Sequence, residues 1–146
     1  MTIILARCAP VTVSATVSLM TFEAGTNRPV VLHEFTISTN GTDSTKAPIE
    51  VQIVRCSDAG TGSSLSLSLA DERDTTGIDV AALQTITVEP TVTEVLRSFY
   101  VPVYQSTLIY VCPKPIVIAG GGFAAIKVVG SPSPSISVLS TALLEE

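Results

Sequence analysis

The sequence contains no tryptophan, only one histidine and few charged side chains, which make up 14% of its 146 residues. An average globular domain has roughly 25%. Eight basic residues stand against thirteen acidic ones, for a net charge of −5, and Lys and Arg form no cluster. Because nucleic-acid binding relies on clustered Lys and Arg to neutralise phosphates, we expect no nucleic-acid partner. So little charge favours a surface that another protein covers.

Long apolar runs and targeting segments are also missing. No segment approaches the roughly 18 uninterrupted apolar residues of a transmembrane helix. The opening run Met1-Thr-Ile-Ile-Leu-Ala-Arg7 lacks the basic start of a signal peptide, and Arg7 interrupts it. We therefore expect no membrane association, and a protein that is made in the cytoplasm.

Residues that could perform catalysis are scarce. General acid–base chemistry, or a Ser or Cys nucleophile, would depend on His33, the only histidine. His33 lies on the same face of an alternating strand pattern as Val31, Phe35 and Ile37, which favours a neutral, hydrogen-bonded core residue. We therefore expect no enzymatic activity and no cofactor.

Potential metal and phosphate ligands lack motif spacing. The cysteines are odd in number and far apart, which favours buried, reduced thiols over a redox pair or zinc site; they are Cys8, Cys56 and Cys112. Asp71, Glu72 and Asp74 do not match an EF-hand and favour a solvated loop. Gly120-Gly-Gly122 lacks the Lys and Ser/Thr of a phosphate-binding loop and predicts a hairpin or strand-edge turn. We expect no metal site.

Strand patterns dominate what is present. Strict alternation of apolar and polar residues predicts strands with one buried face, and it occurs in Val31 to Ile37, Ile49 to Ile53, Leu65 to Leu69 and Ile136 to Val138. Continuous β-branched runs predict further strands at 11–19, 85–88, 95–101, 107–111, 116–118 and 123–129. Asn40-Gly41 predicts a tight turn between two strands. Proline has no amide hydrogen to donate to a neighbouring strand, so Pro102, Pro113 and Pro115 predict strand ends or edges.

These patterns predict an all-β fold, an antiparallel sandwich or barrel in one domain. Only residues 71–84 depart from these strand patterns, and the segment Asp79 to Gln84 predicts at most one short helix. Residues 1–10 form an N-terminal arm or the first strand, and 11–146 form the single sandwich domain. Within the first segment, two alternatives remain open for Ile3, Ile4 and Leu5: an apolar arm that contacts a partner, or a strand inside the sandwich.

Several segments, in this order and spacing, are similar to capsid decoration proteins of tailed bacteriophages, also called cement proteins. They are Asn27-Arg-Pro-Val-Val-Leu-His-Glu-Phe35, Asn40-Gly41-Thr42, Ala47-Pro-Ile-Glu-Val-Gln-Ile-Val-Arg55, Asp58-Ala-Gly-Thr-Gly62, Thr87-Val-Glu-Pro-Thr91, Pro113-Lys-Pro-Ile-Val-Ile-Ala-Gly-Gly-Gly122 and the final Glu145-Glu146. The resemblance runs over nearly the whole chain. The segment 63–70 departs from it, with Leu-Ser alternation in place of a proline-rich stretch.

The resemblance implies a jelly-roll-like sandwich on the outer surface of the virion capsid. It also implies a structural function, in which homo-oligomers bridge capsomers of the major capsid protein and strengthen the shell. Repeated symmetric contacts suggest a homodimer or homotrimer.

A receptor- or glycan-binding module of a head fibre or tail is the alternative function. Sugar-binding faces commonly expose aromatic rings, and the three tyrosines lie close together in the sequence, at Tyr100, Tyr104 and Tyr110. The same residues would also suit cross-strand packing or a protein interface.

Overall fold

A computed structural model describes all 146 residues, Met1–Glu146. It contains twelve strands and no helix. The strands are β1 (Ile3–Arg7), β2 (Val11–Val13), β3 (Val17–Glu23), β4 (Val30–Thr39), β5 (Ile49–Cys56), β6 (Thr61–Ser64), β7 (Leu67–Leu69), β8 (Ala81–Val88), β9 (Val92–Val101), β10 (Thr107–Ile118), β11 (Phe123–Val129) and β12 (Ile136–Glu145). The predicted all-β class is confirmed.

The strands form two antiparallel six-stranded sheets packed face to face. Sheet A has the order β10-β4-β12-β1-β7, with β2 beside β12, and sheet B has the order β6-β8-β3-β11-β5-β9. The pairs are nested along the chain, since β1 pairs with β12, β3 with β11, β4 with β10 and β5 with β9. Such a folded-over series of strands, rolled into two sheets, is the connectivity of a jelly roll.

Three strands are inserted between β5 and β9. β6 and β8 extend sheet B, and β7 extends sheet A beside β1. The chain therefore crosses from one sheet to the other at Leu65 and Ser66, between β6 and β7. The insertion lengthens the two sheets on one side only, and on the other side β9 and β10 remain as the edges.

No helix forms at Asp79 to Gln84, where at most one short helix was predicted. Residues from Ala81 onward belong to β8, where Ala82 is buried and pairs with Phe22. The backbone amides of Asp79 and Val80 donate to the carboxylate of Glu146, which holds the chain extended before the strand. Pairing with β3 outweighs the weak local helix preference of so short a segment.

A bulge in β4 reverses the faces of its first residues. On both neighbouring strands the pairing passes from Leu32 to Glu34 and leaves out His33. Leu32 is therefore buried together with Phe35, while Val31 and His33 lie on the opposite face. The prediction that Val31 and His33 share the buried face of Phe35 is wrong, because one extra residue shifts the period-two alternation.

The Asn40-Gly41 segment is not a tight hairpin. β4 belongs to sheet A and β5 to sheet B, so residues 40–48 form a loop that connects the two sheets. The Gly41 amide donates to the Val103 carbonyl at 2.7 Å, at the end of the sandwich. The Gly120-Gly-Gly122 turn likewise passes between sheets, with Gly121 at a φ of 71°.

The core lies between the sheets and includes an aromatic cluster. Phe35 from sheet A, Phe99 from sheet B and Tyr110 from sheet A have ring centroids 4.4 to 5.9 Å apart. Phe35 is 1% exposed. The cluster joins the two sheets beside the β9 and β10 edges. The prolines predicted at strand ends or edges are confirmed there: Pro102 follows β9, and Pro113 and Pro115 lie in β10.

Candidate interaction surface

The outer face of sheet A, here called the sheet A face, is a broad surface with few charges. Its side chains point away from the core on β1, β12, β4 and β10. Four rows of directly opposed residues cross it: Ile3, Glu145, Val31 and Val117; Leu5, Leu143, Glu34 and Val111; Arg7, Thr141, Thr36 and Ile109; and Leu139, Ser38 and Thr107. From normal strand spacings this surface measures on the order of 400 Å².

Large apolar side chains are unusually exposed on the sheet A face. Ile109 is 63% exposed, Val111 61%, Val117 48% and Leu5 46%. A shallow groove of about 290 Å³ lies among Leu5, Leu143 and their neighbours. Contiguous apolar patches of a few hundred Å² on a small protein commonly mark interaction sites.

The outer face of sheet B differs because the protein itself covers part of it. Val54 and Ala125 lie on that face, yet both are 0% exposed. The Glu89 carboxylate accepts hydrogen bonds from the Ser18 amide at 2.8 Å and the Ser18 hydroxyl at 2.6 Å. Of the two outer faces, the sheet A face is therefore the better candidate for an external partner.

The three candidate partner-contact residues lie in β1, between β7 and β12. Of the two alternatives for this segment, the structure has the strand and not a free arm, because both edges of β1 are paired. Ile4 is 0% exposed and belongs to the core. Ile3 and Leu5 lie on the sheet A face, which leaves these two available for contact.

The three tyrosines do not form one patch. The Tyr110 ring packs against Phe99, with centroids 4.4 Å apart, between the two sheets. Tyr100 is 75% exposed and Tyr104 is 45% exposed. The cross-strand packing alternative therefore describes Tyr110, and a sugar could reach only Tyr100 and Tyr104.

His33 lies on the sheet A face and is not a core residue. Its Nε2 atom is 2.6 Å from a carboxylate oxygen of Glu145, and about a third of the side chain is exposed. The predicted hydrogen bond is present, but the bulge moves the ring out of the core. No Ser or Cys side chain forms a hydrogen bond with the ring.

The three cysteines are buried, unpaired thiols. Burial raises the pKa of Cys8 and Cys112. Burial, with a contribution from the nearby Asp58 carboxylate, raises the pKa of Cys56 to about 11. Because the thiolate is the reactive species, these shifts lower the reactivity of the thiols at neutral pH.

The acidic loop and the glycine turn use their polar groups internally. The Asp71 carboxylate accepts hydrogen bonds from Arg73, and that of Asp74 accepts one from the Thr76 amide; these bonds lower the pKa of both carboxyl groups. The Gly121 amide donates to backbone carbonyls of the chain. No group of three or more His, Cys, Asp or Glu side chains is arranged to hold a metal ion.

A cavity of about 270 Å³ lies at the end of the sandwich, between the loops at 41–49 and 130–136. The Asp43 carboxylate at its rim accepts hydrogen bonds from the amide and hydroxyl of Thr45, and Lys46 lies 4.0 Å away. The Asp43 carboxylate is thus held by hydrogen bonds within its own loop.

The structure contains no helix with the length and hydropathy to cross a membrane. Comparisons of the chain with protein-family models, with curated proteins and with solved structures found no match. Function must therefore be inferred from the fold, the sheet A face and the sequence resemblance.

Proposed function

We propose that this protein is a structural component of a tailed-bacteriophage virion that decorates the outside of the icosahedral head. It binds neighbouring capsomers of the major capsid protein and stabilises the shell. The observation that carries the proposal is the exposed, weakly charged sheet A face. The sequence resemblance to capsid decoration proteins, whose expected fold is a jelly-roll-like sandwich, favours a phage capsid as the partner.

Physical chemistry supports binding through this face. A specific contact buries roughly 800 Å² per partner, and the sheet A face provides about half of that before any loop is added. Apolar side chains in the centre of such a contact stabilise it by leaving water. Many copies bound to an assembled lattice, and not to its separate subunits, shift the equilibrium towards the closed shell.

The proposal predicts that Leu5→Glu weakens binding to expanded heads from which the protein has been removed. A carboxylate among the apolar side chains of the sheet A face must lose water on contact, so we expect affinity to fall at least tenfold. Sedimentation of heads with bound protein measures the affinity. Wild-type protein should also raise the temperature at which the heads rupture.

Val88→Glu is the matched control, because Val88 is 58% exposed but lies on β8 of sheet B. It should bind heads like the wild type. If wild-type protein does not bind heads, the capsid function is wrong. If Leu5→Glu and Val88→Glu bind equally well, the sheet A face is not the contact.

Exposed Tyr100 and Tyr104 favour a second candidate function, a receptor- or glycan-binding module. Aromatic rings with one free face can stack on sugars. This function predicts binding to polysaccharides of the host surface on a glycan array, and a loss of at least tenfold in affinity for Tyr100→Ala. An array without a signal for the wild-type protein would eliminate it.

A further inference from the structure

Sheet A ends at β10, and half of this strand has the features of an unprotected edge. The free edge segment, Thr107–Val111, contains no charge, no proline and no bulge. Proteins normally block exposed edges with charges, prolines, bulges or short strands, because unpaired backbone groups recruit another strand.

The other edges carry such blocks. The second half of β10 contains Pro113, Lys114 and Pro115 within an irregular stretch of the ladder. β9 has two irregularities in its pairing and carries Glu94 and Arg97. β6 and β7 have four and three residues. The free edge segment is thus a regular edge of five residues without a charge, a proline or a bulge.

Alternation in the ladder shows which backbone groups are free. The Ser106 carbonyl accepts a hydrogen bond from the amide of Thr39, the last residue of β4. In an antiparallel ladder every second residue faces the same neighbour, so Leu108 and Tyr110 direct their amides and carbonyls towards β4. Those of Thr107, Ile109 and Val111 point to the free edge, where no strand is present.

We propose that two copies of this chain associate through this segment, with β10 antiparallel to β10 of the second copy and Ile109 on the twofold axis. Ile109 then pairs with itself, and Thr107 pairs with Val111 of the other copy. The pattern of free groups is symmetric about Ile109, so this register satisfies about six backbone hydrogen bonds. Sheet A becomes continuous across the two copies.

Electrostatics favours a second copy at this place. Two chains of net charge −5 repel each other over most of their surfaces. Residues 104–113 contain no charged side chain, so the copies meet where no carboxylates face each other. Strand geometry places the two Glu34 side chains roughly 20 Å apart in the pair, beyond a Debye length of about 8 Å.

The small contact area limits the expected affinity between the two copies. A ladder of five residues, with the side chains of Ile109 and Val111 along it, is smaller than a standard interface. We therefore expect a reversible dimer with a dissociation constant on the order of 10 μM. Copies held close together on a larger assembly would pair more completely, because their effective concentration is higher. The inference does not depend on the proposed function.

Analytical ultracentrifugation of the full-length protein tests this inference without heads. Wild type should sediment as two copies of the 15.2 kDa chain at about 100 μM and dissociate on dilution. Ile109→Lys and Ile109→Glu should each raise the dissociation constant at least tenfold, since like charges would meet at the axis. An equal mixture of the two variants should dimerise again, because Lys then faces Glu.

Val88→Lys is the control and should dimerise like wild type. Hydrogen exchange of the wild-type protein, which needs no variant, should show slower exchange of the Thr107, Ile109 and Val111 amides at high than at low concentration. A wild type that stays monomeric at 100 μM, or a trimer, would overturn the proposal. So would an Ile109→Lys dimer as stable as the control, or a variant mixture that stays monomeric.

Discussion

Replacing Phe35 by alanine is expected to lower the free energy of unfolding by about 3–5 kcal/mol, the usual cost of removing a buried aromatic ring. Phe35 is 1% exposed and contacts Phe99 of the opposite sheet, with ring centroids 5.9 Å apart. The ring also packs on Tyr110 at 5.5 Å. The substitution therefore leaves a cavity where the two sheets meet, and rings from both sheets lose their contacts.

Urea denaturation followed by circular dichroism measures this effect. A typical domain is stable by only about 5–15 kcal/mol, so the variant should unfold at clearly lower urea and about 10 °C lower temperature. Tyr100→Ala is the control: it also removes an aromatic ring, but this ring is 75% exposed. Its effect should stay within about 0.5 kcal/mol. Equal effects of the two substitutions would contradict the position assigned to Phe35.

Gly41→Ala should lower the free energy of unfolding by about 1–3 kcal/mol, as overpacked sites do. A Cβ atom at Gly41 would overlap the Val103 carbonyl oxygen and lie 2.9 Å from its carbon. The Gly41 amide donates to the same oxygen at 2.7 Å, so the loop cannot move away without lengthening that bond. The contact joins the loop after β4 to the segment between β9 and β10.

Gly77→Ala provides a matched control, because a Cβ atom at Gly77 meets nothing within 4 Å. Its free energy of unfolding should match the wild type within about 0.5 kcal/mol, or rise slightly as the unfolded chain loses freedom. Chemical denaturation of both variants makes the comparison. A Gly41→Ala protein as stable as Gly77→Ala would show that the loop does not approach Val103 closely.

These effects on stability separate the core from the proposed contacts. Leu5 and Ile109 are 46% and 63% exposed, so charged substitutions there should change binding more than folding. The two proposals involve largely different groups of atoms. Head binding would use side chains across the sheet A face, whereas self-association would use the backbone at its edge, with the Ile109 and Val111 side chains beside it. Pairing would place two sheet A faces side by side and double the surface available to a repetitive partner.

Local sequence patterns predicted many strands and several of their buried faces. Ile49, Val51 and Ile53 alternate with polar residues and are buried as predicted, and so are Ile136 and Val138. The prolines Pro113 and Pro115 were predicted at strand ends or edges, and the strand that contains them, β10, is an edge strand. These predictions depend only on residues that are close to each other along the chain. Within such a segment, alternation with a period of two directly indicates a strand with one buried face.

Local patterns failed where a distant strand decided the outcome. The segment at Asp79 to Gln84 is compatible with a helix, but β3 pairs with its last four residues. The alternation around His33 is regular, but the bulge in β4 becomes visible only against β10 and β12. A short apolar segment such as Ile3 to Leu5 does not reveal whether strands will flank it.

By itself, then, the sequence determined an all-β sandwich with few groups for catalysis and with prolines at strand ends or edges. Only the tertiary structure decided which residues form the sheet A face, since β1, β12, β4 and β10 come from distant parts of the chain. The same holds for the free edge segment, whose neighbours are known only from the strand order. The physical reason is that strand pairing is made by non-local hydrogen bonds, so one register or one bulge determines which side chains reach solvent.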